Sequence, residues 1–210
     1  MQIMALTPNG LTPFVFEQAD VSAFTNIWTS ERGDTPISFY RYIGPQSGQA
    51  LPLGDQAIIA YRNSPFPIQL VAPGVGDLQS LAHPVGFAWI LDDHGSKNPS
   101  SVSYWWPIAP AGYTALGLCL TTSAGGGGQP PIAGNYWCVA DKYLIDSGLQ
   151  DIWSDAGQSW SSHNGSMSAS QAPQGPTSPS FIVPDGMLSD EYMSNTGGEF
   201  GFVINTSALE

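Results

Sequence analysis

The stretch from Gly86 to Gly157 decides the fold. It runs Gly86-Phe-Ala-Trp89, Asp92-Asp-His-Gly95, Val102-Ser-Tyr-Trp-Trp-Pro-Ile108, then Pro110-Ala-Gly-Tyr-Thr-Ala-Leu-Gly-Leu-Cys119. Tyr136-Trp-Cys-Val-Ala-Asp-Lys-Tyr-Leu144 and Asp151-Ile-Trp-Ser-Asp-Ala-Gly157 follow. Short apolar runs alternate with Gly/Pro turns, and no span keeps the 3.6-residue period of a helix. That pattern predicts short β-strands.

The flanking sequence extends it. Phe24-Thr-Asn-Ile-Trp28 leads through Glu31-Arg-Gly33 to Ile37-Ser-Phe-Tyr-Arg-Tyr-Ile43, a Gly/Pro turn, Leu51-Pro-Leu-Gly-Asp55 and Ala57-Ile-Ile-Ala-Tyr61. The central stretch repeats this order: an aromatic-x-Trp unit, a polar turn closed by Gly, a Ser-aromatic-aromatic strand and a Leu-Gly corner. A third copy opens at Ile152-Trp153. Trp28, Trp89 and Trp153 are 61 and 64 residues apart (89−28 and 153−89). Near-equal units of this length indicate an internally repeated architecture.

The expected fold is therefore all-β: a β-prism of three four-stranded antiparallel sheets with a pseudo-threefold repeat. One domain spans 1–210, with repeats at roughly 21–80, 83–148 and 149–207. Such closure leaves few free strand edges. Each repeated Trp is expected to wedge into the core. The Ser/Gly/Pro/Gln-rich segment 159–180 reads as a long surface loop. Phe181-Ile-Val183 and Phe200-Gly-Phe-Val-Ile204 resume as strands, and the N-terminal strand at Pro13-Phe-Val-Phe16 is expected to pair beside the C-terminal one.

Composition excludes several functions. Five Lys+Arg against 17 Asp+Glu give a net charge of −12, so no basic track exists for nucleic acid or for docking on anionic lipid. No apolar run approaches the roughly 20 residues of a membrane span. Met1-Gln-Ile-Met-Ala-Leu lacks the features of a signal peptide, so the expected location is cytoplasmic or reached by non-classical secretion.

The residues from Phe87 to Gly157 resemble the Vps62-related family. Its pattern is a Trp-x-Asp-Asp-x-Gly turn, a Ser-x-Trp-x-Pro-x-x-Pro-x-Gly-Tyr-x-Ala-Leu-Gly run, a Cys-Val strand and a second Trp-x-Asp-x-Gly. Here these fall at Asp92 to Gly95, Ser103 to Pro107, Pro110 to Gly117, Trp137 to Val139 and Trp153 to Gly157. Two departures stand out: Leu91 is an extra residue before Asp92, and Trp106 replaces a basic residue. The resemblance implies a β-prism, distantly jacalin-like and related to the membrane-facing prisms of some sorting proteins and toxins. It carries no established reaction.

Candidate chemistry has plain structural rivals. Cys119 and Cys138, 19 apart, are either a disulfide worth about 3 kcal/mol or two buried thiols. Asp92, Asp93 and Asp155 suit a hard cation such as calcium, yet turn carboxylates equally cap backbone N–H groups. His83, His94, His163 and the serines invite a hydrolase assignment. No Gly-x-Ser-x-Gly elbow or His-Glu-x-x-His helix supports it. Gly125 to Gly128 lacks the Lys and Ser/Thr of a phosphate loop.

The leading functional expectation is a non-enzymatic, lectin-like recognition module whose partner is carbohydrate or a glycosylated membrane surface. Asp93, His94, Asp155, Asn164, Gly197 and Gly198 would supply hydrogen bonds, and Trp160 or Tyr192 a stacking face. The alternatives are a membrane-acting or insecticidal, pore-forming-type protein or its targeting domain, and a hydrolase. Oligomerisation is compatible with each.

Overall fold

The computed structural model describes residues 12–30, 36–44, 50–59, 68–93, 100–123, 127–146, 149–154, 166–170, 182–185, 187–188, 191–192 and 202–204. They form antiparallel β-structure with three short 3-10 turns, at Val21–Ala23, Ala133–Asn135 and Asp141–Tyr143. The first strands are β1 (Phe14–Ala19), β2 (Phe24–Thr29), β3 (Ile37–Tyr42), β4 (Gln56–Ile59) and β5 (Ile68–Pro73). Next come β6 (Leu81–Ala82), β7 (Gly86–Asp92), β8 (Ser101–Ile108), β9 (Tyr113–Thr114), β10 (Cys119–Ser123) and β11 (Cys138–Ala140). The last are β12 (Leu144–Asp146), β13 (Leu149–Ser154), β14 (Ser166–Ser170), β15 (Ile182–Asp185), β16 (Met187–Leu188), β17 (Glu191–Tyr192) and β18 (Phe202–Ile204).

Three of the sheets share one plan. They are β2-β3-β4, β7-β8-β10 and β13-β14-β15, each three-stranded with the second strand in the middle. In each, the first strand carries one unpaired residue. Register shifts between Asn26 and Trp28, between Trp89 and Leu91, and between Asp151 and Trp153. The extra residues are Ile27, Ile90 and Ile152, spaced 63 and 62 apart (90−27 and 152−90).

This register corrects the expectation for the tryptophans. Trp28 pairs Phe39 just after its bulge, and Leu91 pairs Tyr104 at the same place in the second sheet. Trp89 lies just before the bulge, opposite Trp105. A bulge reverses the face to which following side chains point. Trp28 is accordingly buried at 7% exposure, whereas Trp89 is 52% exposed and stands outside the core.

Strand pairing also differs from the expected four-stranded sheets. A strand that follows each of these three-stranded sheets pairs with one that precedes it: β5 with β1, β11 with β6 and β18 with β12. β1 pairs with β5, and among the described residues the expected pairing of N- and C-terminal strands is not found. β14 lies inside the expected loop 159–180 and is a central strand, bonded to both β13 and β15. Its Ser-Met-Ser-Ala-Ser alternation is too polar to read as a strand by hydrophobicity.

The core lies between the first two sheets. Trp28, Ile37, Phe39 and Ala57 pack against Val102, Tyr104, Leu118 and Leu120. Phe39 meets Tyr104 edge-on with ring centroids 5.8 Å apart. A neighbouring cluster gathers Phe14, Phe16, Leu53, Val71, Leu81, Leu116 and Val139. Both Leu-Gly corners enter it, so Leu53-Gly54 and Leu116-Gly117 are brought side by side.

Candidate functional site

An open cleft of about 430 Å³ lies beside the edge strand β10. Arg41 and Tyr136 form its floor, and Thr121 to Ser123, Gly127 to Ile132 and Asn135 line the rest.

The floor is a closed polar network. Arg41 follows Ile37 and Phe39 on the core-facing positions of β3, so its stem enters apolar surroundings. Asp55, directly after the Leu53-Gly54 corner, has a fully buried side chain (0% exposed, against 23% for Arg41). Arg41 Nη2 donates to Asp55 Oδ2 at 2.7 Å and to the Leu120 carbonyl. Its Nε donates to Asp55 Oδ1 at 3.3 Å and to the Tyr136 hydroxyl at 3.0 Å. The Leu120 N–H donates to Asp55 Oδ2 at 2.8 Å, and the Tyr136 hydroxyl donates to Asp55 Oδ1 at 2.9 Å. The carboxylate is thus ringed by donors, as a buried charge requires.

Electrostatics follow from this packing. Burial disfavours the charged guanidinium of Arg41, but the Asp55 charge and hydrogen bonds outweigh it and hold Arg41 protonated more firmly than usual. Burial, then the Asp55 charge, drives the Tyr136 hydroxyl far above the usual phenol range. Burial and Asp55 also push the Cys119 thiol well up. Burial alone raises Cys138 to about 12.

The cleft wall is tied to the sheet by backbone. Gly127 N–H donates to Asp92 Oδ2 at 3.3 Å and Gly128 N–H to Ser103 Oγ at 3.2 Å. Gly127 sits at φ +69°, where a side chain is strained. A Cβ on Gly128 would lie 2.7 Å from Thr121 Oγ1. That oxygen is already fixed by Trp105 Nε1, which donates to it at 2.7 Å. The glycines therefore let this segment lie flat on the sheet. Among the described residues, Ser123 Oγ is buried without a hydrogen-bond partner.

The sequence-predicted residues are dispersed. Asp92 takes the Gly127 bond, and Asp93 Oδ1 accepts from Val102 N–H at 2.5 Å. Both accept from backbone N–H groups, Asp92 from the distant Gly127 segment and Asp93 across its own hairpin. Among the described residues no three His, Cys, Asp or Glu side chains are grouped to hold a metal. Tyr192 is in β17, paired with Met187. His94, Asp155, Trp160, Asn164, Gly197 and Gly198 lie outside the described residues. The candidate disulfide is not formed: Cys119 and Cys138 are free and buried. They stand in separate sheets, Cys119 opposite Trp105 and Cys138 opposite Ala82.

Sequence reasoning passed over Arg41, Asp55 and Tyr136. One signal was present: with only five cations in the chain, an Arg on the apolar period of a strand calls for a buried partner.

The fold defines an all-β protein of short antiparallel sheets, with an open polar cleft above a neutralised ion pair. No family model and no curated protein matches the chain. Among solved structures it is similar to GNIP1Aa from Chromobacterium piscinae, with a TM-score of 0.66 and 19% sequence identity. The match covers 86% of this chain and 34% of that one. This chain thus spans about a third of the length of the protein it resembles.

Proposed function

We propose that this chain is a β-prism recognition module that targets a membrane-acting protein to a surface, rather than an enzyme. The observation that carries the reading is the fold match: most of this chain corresponds to about a third of a longer protein, as expected of a module. The three like-ordered sheets with bulges at Ile27, Ile90 and Ile152 support a pseudo-threefold prism. The resemblance to the Vps62-related family rests on the motifs between Phe87 and Gly157 and points the same way.

The surface supports it as well. Val75 and Leu78 are 77% and 75% exposed on one turn. The turn is pinned: Gly76 N–H bonds the Thr12 carbonyl at 2.9 Å, and Asp77 is bridged by Lys142 at 2.5 Å and by Tyr143 at 2.9 Å. Ordered aliphatic side chains held outward suit contact with an apolar or interfacial surface. The two thiols are buried and hard to ionise, which makes them poor nucleophiles.

The test is flotation of the purified chain with neutral vesicles, with and without glycolipid, beside binding to intact cells. Association with any of these surfaces, reduced by Val75→Asp with Leu78→Asp, is the expected result. Absence of association with all of them would overturn the reading.

A further inference from the structure

We infer that β7 (Gly86–Asp92) is a docking edge for a second copy of this chain, the two β7 strands pairing antiparallel about a twofold axis so that their sheets join edge to edge.

The two edges of this sheet are finished differently. Its strand order is β10-β8-β7, so β10 and β7 are the outer strands. Around β10 the outward backbone is occupied. The Leu118 carbonyl accepts from Asp55 N–H at 2.7 Å, Leu120 N–H donates to Asp55 Oδ2 at 2.8 Å, and the Leu120 carbonyl accepts from Arg41. β7 has no such cover: among the described residues, no hydrogen bond from outside β8 reaches the backbone of Phe87 to Ile90. An uncovered strand edge is a template for another strand.

The repeat supplies its own control. Aligned on the unpaired residues Ile27, Ile90 and Ile152, the two preceding positions are Thr25-Asn26 in β2, Ala88-Trp89 in β7 and Gln150-Asp151 in β13. Polar and charged residues beside an edge protect it against pairing, and in β2 both are exposed. β7 instead has an exposed Ala88 and the 52% exposed indole of Trp89. Val85 and Ile108, joined by a backbone hydrogen bond of 2.8 Å, are exposed at the start of the same hairpin. From Val85 to Leu91 the chain carries no charge. Contiguous exposed apolar surface of this kind marks contact with a partner.

Charge and symmetry select a copy of the same strand. In antiparallel pairing centred on Ala88, Phe87 of one copy faces Trp89 of the other, and the twofold repeats the contact. Both residues lie on one face of the sheet, opposite Pro107 and Trp105, so each indole gains a ring from the other copy. The carboxylates of Asp92 and Asp93 then fall beside the uncharged Pro84-Val85 of the other copy. Parallel pairing would set carboxylate against carboxylate. A twofold contact is closed, and the occupied β10 edge offers no second template, so assembly stops at two chains. Each copy carries a net charge of −12, which opposes association, so added salt should tighten the dimer.

The test is analytical ultracentrifugation of the full chain across a wide range of concentration, at low and high salt. A dimer that tightens with salt is the expected result. Ala88→Thr with Trp89→Asn gives β7 the residues that β2 bears at the same positions; this variant should be monomeric and should keep cooperative unfolding. Trp89→Lys should weaken association about tenfold or more. Val75→Asp with Leu78→Asp, at the other apolar site, should leave the dimer intact. A parent chain that stays monomeric at every concentration would overturn the pairing. So would a dimer that both β7 variants leave intact, a dimer that the Val75/Leu78 variant dissolves, or assembly beyond two chains. Vesicle association by a chain that is monomeric throughout would leave the targeting role standing while the β7 contact fails.

Discussion

Gly54 and Gly117 meet backbone to backbone. A Cβ built on Gly54 would stand 2.8 Å from the Gly117 Cα, and one built on Gly117 would stand 3.0 Å from the Gly54 Cα. The two residues are 63 apart (117−54), the same interval as that between Ile27 and Ile90 (90−27). The contact seats Leu53 and Leu116 in one cluster and sets Asp55 beside β10, where its N–H donates to the Leu118 carbonyl at 2.7 Å.

Gly54→Ala and Gly117→Ala should each destabilise the protein by about 1–3 kcal/mol, because backbone has to move. Gly134 is the control, since a Cβ there would meet nothing within 4 Å. Gly134→Ala should fall within about 0.5 kcal/mol of the parent. Urea denaturation of the three variants checks the contrast.

Asp55→Ala should cost about 3–5 kcal/mol, since it strands the Arg41 charge and the Tyr136 hydroxyl. The double variant Asp55→Ala with Arg41→Met should recover part of the loss, as both charges are then gone. Denaturation of the two single variants and the double variant completes the cycle. Additive losses would show that the pair is not coupled.

The bulge register separates two tryptophans that composition treats alike. Trp28 stacks on Phe39 at 5.8 Å and donates through Nε1 to the Ser100 carbonyl at 3.0 Å. Trp28→Ala should cost about 3–5 kcal/mol, and Trp89→Ala less than about 1 kcal/mol. Melting temperatures of both variants decide it.

Stability should fall in alkali. Cys119, Cys138 and Tyr136 are acids whose folded values are raised. The unfolded chain therefore loses these protons first as pH rises. For Cys138 the contribution is complete below its ordinary value of 9.0 and disappears as pH climbs toward about 12. Each such group adds at most about 1.4 kcal/mol per pH unit to the decline. Denaturation between about pH 7 and about pH 10.5 measures the slope, and Cys138→Ala should flatten it.

The thiols should also be silent in the native state. Both are buried and free, so a thiol reagent should label two groups only after denaturation. Mass should be unchanged by reduction.

By itself the sequence determined an all-β chain with short strands and near-regular spacing, because alternating apolar runs between Gly and Pro permit little else. Strands such as Ile37–Tyr42 and the Leu-Gly corners were legible for that reason. β14 was not, because its pairing is supplied by two neighbouring strands rather than by its own hydrophobicity. Only the tertiary structure decided that Trp28 is buried and Trp89 exposed, since one unpaired residue reverses the faces of a strand without marking the composition. It likewise decided the cleft, whose floor joins residues 41, 55 and 136. Partners so far apart are selected by three-dimensional packing and by the cost of leaving a charge buried alone, and neither is written in local order.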